Sequence, residues 1–339
     1  MHPLLRIGAS ILVLAILPAP ELRRFEAVES HMGTLVRITV YAPAEPAANE
    51  GFRAAFDRIR DLDETLSDYR PDSELNQVTR VAVGRPVPVS ADLFTVIKTS
   101  QELAEATNGA FDITLGPVVR LWREARKTGH VPDPSALKEA ATRTGFRRLH
   151  LDSEHRTVSF DIAGMALDVG AIAKGYAASE AVAVLDRLGI RSALVAVSGD
   201  LAFSNAPPGQ RGWEIGVRSD EDTDTRVPRV LALENAAVST AGSAEQHLDA
   251  DGRRYSHIID PSSRMGLVDD ITVTVIARHG IDADGLDTAV SVVGAERGLA
   301  LIESRPSTAA LVTIKTSSGT TFLQSSRFRA LVQEQTSSR

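Results

Sequence analysis

The stretch Ala166–Ala178, ALDVGAIAKGYAA, decides how the rest of the chain is read. Leu167-Asp168-Val169 predicts the end of a short strand, and Gly170-Ala171 a turn of small residues. A helix is expected from near Lys174 to about Leu188, with Ala177, Ala181, Val184, Leu185 and Leu188 on one apolar face. A strand, a turn and a helix N-terminus form a common anion site, because free N–H groups and the positive end of the helix dipole converge there. Asp168 before the turn and Lys174 after it add a carboxylate and a cation. The same spacing also fits an ordinary strand-to-helix connection. The GxxxxGK[ST] spacing of a Walker loop is absent, and no clear dinucleotide fingerprint is present.

On the N-terminal side, Thr34–Tyr41 alternates as a first strand, with Met32-Gly33 just before it. Phe52, Phe56, Ile59, Leu62 and Leu66 mark an amphipathic helix. Pro71 stops it, and Asp72 or Ser73 is placed to cap the next turn. Tyr69 in that loop is read either as a ring that stacks on an aromatic ligand or as simple packing. Ala91–Ala106 predicts a helix ended by Thr107-Asn108-Gly109. In Ala110–Trp122, Gly116-Pro117 is a turn with a helix after it, and Asp112 has no evident structural task. His150 and His155 match no standard metal spacing and are expected in solvent at a hairpin.

On the C-terminal side, Ser192–Val197 reads as a buried strand ending at Ser198-Gly199-Asp200, a turn where ligands are commonly met. Asp220–Thr225 is an acidic loop. Val230–Val238 leads into Ser239-Thr-Ala-Gly-Ser243. Arg253–Pro261 predicts a strand carrying His257 among Tyr255, Ser256 and Asp260. Ile271–Ala277 is a strand, and a helix opens at Asp282 and runs through Val293. Asp284 and Thr288 share its face, with Asp287 beside them. Such oxygen ligands suit a hard cation such as Mg²⁺, and acidic residues in a first turn also simply favour the helix dipole. A last hairpin spans Ala309–Ile314 and Thr320–Leu323.

The chain has 339 residues, 43% hydrophobic and 24% charged, so it is long enough for a large core. Its net charge of −7 argues against a nucleic-acid partner. With no cysteine, disulfides, thiolate nucleophiles, Fe–S clusters and cysteine zinc sites are excluded, as is lipoprotein anchoring. The apolar run Ile7–Leu17 is too short to span a bilayer and suits a signal-peptide core, or else an anchor. The expected organisation is a signal peptide or N-terminal anchor over 1–25, one domain over 31–325 and a flexible tail over 326–339. Strands and helices mix irregularly, which predicts an α+β fold.

Taken in order, several stretches resemble the ApbE family of FAD:protein FMN transferases. They are Met32-Gly33-Thr34, the SxYxPxSEL loop at Ser67–Leu75, NGAFDxTxGPxxxLW at Asn108–Trp122 and DxGAIAKGYA at Asp168–Ala177. Further along come SGD at Ser198–Asp200, STAG at Ser239–Gly242, HIIDP at His257–Pro261 and DADGLDTA at Asp282–Ala289. The resemblance covers roughly residues 31 to 325. It implies a mixed fold with FAD bound in a cleft between α/β lobes. It also implies FAD contacts at Met32, Tyr69, Ala110, Phe111, Asp112, Asp168, Lys174, His257 and Ile258. Mg²⁺ would sit at the carbonyl of Ala171 with Asp284, Thr288 and Asp287, and the catalytic set would be His257, Asp284 and Lys174. The implied reaction is Mg²⁺-dependent transfer of FMN from FAD to a Thr or Ser hydroxyl of an acceptor flavoprotein, releasing AMP. With the apolar N-terminus, the acceptor is expected to be an exported or membrane-attached redox protein, and the site of action periplasmic or the outer side of the inner membrane. An FAD pyrophosphatase and a non-catalytic exported FAD-binding protein are the alternatives. Two departures stand out. The family often has Gly-Gly-Asp where this chain has Ser198-Gly199-Asp200. After HIIDP, residues 262–266 are longer by two, which leaves Arg264 as a substitute ligand contact.

Overall fold

Alternating apolar residues build the centre of the molecule. In the computed structural model, which describes residues 21–217, 229–242 and 246–337, they form an eight-stranded antiparallel sheet. Its strands are β1 (Arg23–His31), β2 (Thr34–Ala42), β3 (Ser192–Val197), β4 (Asp200–Phe203), β5 (Ala236–Gly242), β6 (Ile271–Ala277), β7 (Thr308–Thr316) and β8 (Gly319–Gln324). They lie side by side in chain order, every neighbouring pair antiparallel. Connections between neighbours carry the helices α1 (Glu45–Leu66), α2 (Glu74–Val81), α3 (Ala91–Ala106), α4 (Gly116–Thr128), α5 (Pro134–Ala141), α6 (Ala173–Arg187), α7 (Gly280–Val293) and α8 (Ala295–Glu303). A last helix, α9 (Ser326–Ser337), follows the sheet. The architecture is α+β, as the mixed pattern predicts.

The sheet is covered on both faces. Val36, Ile38 and Val40 of β2 point to one side, where Phe56 and Ile59 of α1, Ala181 and Leu185 of α6 and Leu286 and Val290 of α7 complete the main core. In β6, Val273 and Val275 join that core while Ile276 faces the other way, onto Phe328 of α9, Trp213 and Leu311. A strand buried on both faces reads as a continuous apolar run. A third cluster, centred on Trp122 of α4, packs Leu137, Leu248, Tyr255 and Ile259.

Four expectations change. The segment assigned to a leader or anchor over 1–25 overlaps the sheet, because Arg23–Phe25 pair with Tyr41, Ala42 and Val40 in β1. Its alternation is masked in sequence by charges on the outward face, and residues 1–20 lie outside the described residues. Leu167-Asp168-Val169 is extended but is no strand: Ala166 bridges Leu115 and the Asp168 amide donates to Ile113 O at 2.7 Å. The tail expected to be flexible holds α9, anchored by a fully buried Phe328 and by Arg327, which donates to the carbonyls of Ile302, Arg305 and Thr308. Phe328, Leu331 and Val332 share one helical face, a signal too short to stand out among the polar residues around it. The strand predicted over Arg253–Pro261 stops at Ser256, where the chain turns toward the cavity described next. The acidic loop at Asp220–Thr225 lies outside the described residues.

Candidate active site

The site begins where two helices touch backbone to backbone. A Cβ on Gly175 of α6 would lie 2.1 Å from Gly280 O, and one on Gly280 of α7 would lie 2.0 Å from Gly175 O. Only glycine permits that approach. Ser179 Oγ accepts from the Gly280 amide at 2.7 Å, which fixes the crossing. No side chain near the start of α6 caps it. Asp284 reaches across from α7 instead and accepts from the Gly175 amide at 2.9 Å. The helix N-terminus expected to meet a ligand anion therefore meets a carboxylate of the protein itself. The physical rule holds, since a helix N-terminus takes an anion. The anion is Asp284.

Asp284 does not stand alone. Asp200, at the start of β4, and Asp287, on α7, bring carboxylate oxygens within 4.8 Å of its own, and all three residues are buried. Lys174 is paired with Asp200 and lies 4.0 Å from Asp284 Oδ1. Ser239 Oγ, on β5, bonds Asp200 and lies 2.6 Å from Asp287 Oδ2. One hydroxyl proton cannot serve two carboxylates. Burial, then the neighbouring Asp200, pushes the Asp284 carboxyl up to about 7 despite Lys174. Burial and both neighbouring carboxylates hold Asp287 well above the usual range. Burial works against the Lys174 ammonium, but Asp284 and Asp200 outweigh it and raise its pKa. When all three carboxylates are ionised they outnumber the one ammonium, and their hard oxygen donors suit a divalent cation such as Mg²⁺, which would take the place of the protons they hold.

This cluster lines one side of a cavity of about 690 Å³. Every residue of the FAD, metal and catalytic sets implied by the resemblance lines it: Met32, Tyr69, Ala110, Phe111, Asp112, Asp168, Ala171, Lys174, His257, Ile258, Asp284, Asp287 and Thr288. Their surroundings differ. Asp112 has a structural task after all, accepting from the Thr114 amide at 2.8 Å, Thr114 Oγ1 at 2.6 Å and the Phe146 amide at 3.1 Å. Burial pushes its carboxyl up, against those bonds. Tyr69 is not packed inside: it is 73% exposed, with the Arg123 guanidinium 4.1 Å from its ring centre. His257 Nδ1 lies 3.2 Å from Gln246 O. If Nδ1 carries the proton for that bond, Nε2 is left as an acceptor. Burial, joined by the charges of Arg126 and Lys174, lowers the His257 pKa against the Gln246 bond, so the ring is neutral near pH 7.

Sequence reasoning missed Asp200 as a cluster member, although the turn before it was marked as a ligand-type turn. It also missed Ser239, Asp68, Arg123 and Arg126. Arg123 is tied to Asp68 and, at 2.7 Å, to Asp168, so α4 holds the Tyr69 loop and the Asp168 turn together. In sequence, Arg123 and Arg126 belong to the helix after Gly116-Pro117, and nothing local marks them as site residues. Arg264 does not substitute as a ligand contact: it is absent from the cavity wall, and its carbonyl accepts from Trp122 Nε1 at 2.8 Å. The longer loop is folded on itself around Asp260, whose carboxylate accepts from the Ser262 amide at 2.9 Å. Ser198, where glycine was the family expectation, has φ 57°.

Fold and site together define an α+β protein with a buried cluster of three carboxylates beside a cavity of ligand-binding size. The ApbE family model matches residues 32–312. A FAD:protein FMN transferase of Treponema pallidum (strain Nichols) is 34% identical over 305 residues, covering 85% of this chain and 84% of that protein. One from Klebsiella pneumoniae (strain 342) is 31% identical over 280 residues, covering 81% and 80%. Among solved structures, the flavin transferase ApbE from Vibrio cholerae matches with a TM-score of 0.80 at 29% identity, covering 91% of this chain and 99% of that one. The Pseudomonas stutzeri flavinyl transferase ApbE, apo form, matches with a TM-score of 0.79 at 28% identity, covering 92% and 98%. The chain belongs to the ApbE family.

Proposed function

We propose that this chain transfers FMN from FAD to a Thr or Ser hydroxyl of an acceptor flavoprotein and releases AMP. The observation that carries the reading is the convergence of the family's motif residues, scattered from Met32 to Thr288, on one cavity whose wall includes the carboxylate cluster. The relatives' names point the same way. Asp200, Asp284 and Asp287 would hold Mg²⁺ with the Ala171 carbonyl and Thr288 beside them, and the ion would supply charge neutralisation at the FAD diphosphate.

The chain's own residues do the rest. Lys174, kept charged by Asp200 and Asp284, presents an ammonium to the phosphate oxygens. The acceptor oxygen forms a bond to the FMN-side phosphorus. The bond from that phosphorus to the bridging oxygen breaks, and its electron pair leaves with AMP. His257 Nε2 takes the hydroxyl proton, a role that suits a neutral imidazole whose Nδ1 is turned to Gln246 O. Such chemistry is mostly positioning and charge neutralisation. The apolar run Ile7–Leu17 supports an exported or membrane-attached redox protein as acceptor, met in the periplasm or on the outer side of the inner membrane.

The test is to incubate the purified chain with FAD and Mg²⁺, with and without a candidate acceptor, and follow the products by mass spectrometry. An acceptor heavier by one FMN, with AMP released and EDTA blocking both, is the expected result. FMN and AMP formed without acceptor would make the chain an FAD pyrophosphatase. Intact FAD in every condition would make it a binding protein.

A further inference from the structure

Cations on the cavity wall fall into two kinds. Lys174 is matched by Asp200 and Asp284, and Arg123 by Asp68 and Asp168. Arg70 reaches Asp72 at 3.4 Å. Arg126, one turn beyond Arg123 on α4, makes no hydrogen bond or ion pair among the described residues, yet it lines the cavity and is half-buried. The charged groups facing it are Arg123, which repels it, Asp168, which is already bonded to Arg123, and the Tyr69 ring. A guanidinium stays charged and presents a planar fork of donors. Holding it half-desolvated with no anion costs free energy unless a ligand supplies one.

Its place narrows the ligand group. Arg126 on α4, Lys174 on α6 and His257 line the same cavity, and the charges of both cations act on His257, so an anion bound beside His257 is attracted by both. The aromatic-stacking role near the cavity lip is filled by Arg123 against Tyr69. Arg126 is left for charge. Resting on the transferase reading above, we infer that Arg126 is a substrate-positioning residue that binds the diphosphate oxygens of FAD from the α4 wall. A guanidinium fork on phosphate oxygens is bidentate and charge-assisted, which makes it stronger than a neutral hydrogen bond and fixes orientation. In this arrangement Arg126 orients the diphosphate before reaction and retains the AMP-side phosphate until it leaves.

The experiment is equilibrium binding of FAD, ADP and riboflavin to the full chain at one fixed Mg²⁺ concentration. ADP carries the diphosphate without a flavin, and riboflavin carries the flavin without phosphate. In Arg126→Met, the affinities for FAD and ADP fall about tenfold or more while riboflavin binding is unchanged. The dependence of FAD affinity on salt flattens, because one phosphate contact is gone. Arg126→Lys recovers part of the ADP affinity, since it keeps the charge and loses the fork. Melting of both variants stays close to wild type, because Arg126 contributes no internal bond. If Arg126→Met folds poorly, the Lys variant alone decides by its ADP-to-riboflavin ratio. Unchanged ADP and FAD affinity overturns the inference. Weaker riboflavin binding with ADP unaffected also overturns it, by moving Arg126 to the ring. A wild-type chain that binds none of the three ligands removes the transferase reading and this assignment together. A chain that binds FAD but transfers nothing leaves the Arg126 result standing.

Discussion

The carboxylate side of the cavity and its arginine side are built by different means. On the first side, Asp284, Asp287, Asp200 and Ser239 come from α7, β4 and β5, and each is buried. Their positions follow from a backbone contact, Gly175 against Gly280, and from an amide that one helix gives to a carboxylate of the other. On the second side, Arg123 gathers Asp68, Asp168 and the exposed Tyr69 by side-chain pairing alone. Like charges packed at the first side store electrostatic free energy that a cation releases. On the second side Asp68 and Asp168 are already paired with Arg123, and Arg126 has no ion pair among the described residues. A site made this way keeps its carboxylate geometry fixed and leaves the edge near Tyr69 adjustable.

The sharpest way to break the comparison is Gly175→Ala. The new methyl would fall 2.1 Å from Gly280 O and 2.7 Å from Asp284 Cβ, and neither the backbone nor a helix-borne Cβ yields cheaply. A loss of about 3 kcal/mol in denaturant unfolding is expected, with transfer activity lost as the helices separate. Next is Asp284→Asn, which keeps an acceptor for the Gly175 amide and deletes one charge. Mg²⁺ affinity, read by calorimetry, should fall about 100-fold. The metal-free chain should at the same time become more stable, since repulsion with Asp200 and Asp287 is relieved. Unchanged Mg²⁺ binding would remove the carboxylate cluster from the metal site.

How much was legible in advance follows the same division. The α6 and α7 sides were readable because their chemistry is local: small residues before a helix, then Asp284 and Thr288 four apart. Most helices and the central strands were readable from periodicity, and Ser73 does cap α2 by accepting from the Asn76 amide at 3.1 Å. What could not be read is what depends on distant partners. Nothing local says that Asp284 will cap α6 from 109 positions away in the chain, so the helix N-terminus looked free. Asp112 looked idle because its third donor is Phe146. Arg123 and Arg126 went unmarked because the loop that meets α4 lies near Tyr69, about fifty positions earlier in the chain. β1 and α9 were missed because charges dominate one and a single buried Phe328 anchors the other.

A smaller effect is expected from Arg123→Met. Asp68 and Asp168 would lose their shared partner and repel each other. Burial and that repulsion already push the Asp68 carboxyl up, against the Arg123 bond that pulls it down. With the arginine gone, Tyr69 is released from its stacking surface. FAD affinity should fall about tenfold with little change in Mg²⁺ affinity, because the carboxylate cluster does not depend on Arg123. Equal losses in both affinities would show that the two sides act as one unit.

The smallest effect should come from Ser198→Gly, between β3 and β4. In that two-residue turn Ser198 has φ 57°. A positive φ at the first central residue is a position where glycine is favoured, because a Cβ there crowds the backbone. No hydrogen bond from the Ser198 side chain offsets the cost among the described residues. The neighbouring turn at Met32-Gly33, with φ 50° and 72°, has the same order, a non-glycine residue first and glycine second. Replacing Ser198 should raise unfolding stability by about 0.5–1 kcal/mol, the relief of a left-handed backbone less the extra freedom glycine has when unfolded. Because Asp200 follows directly, the same variant also reports on the carboxylate side. If stability rises and Mg²⁺ affinity holds, the serine is a local strain and Asp200 is placed by the sheet. If Mg²⁺ affinity falls as stability rises, the strained turn is what sets Asp200, and the carboxylate side is less purely a product of helix packing than its glycine contact suggests.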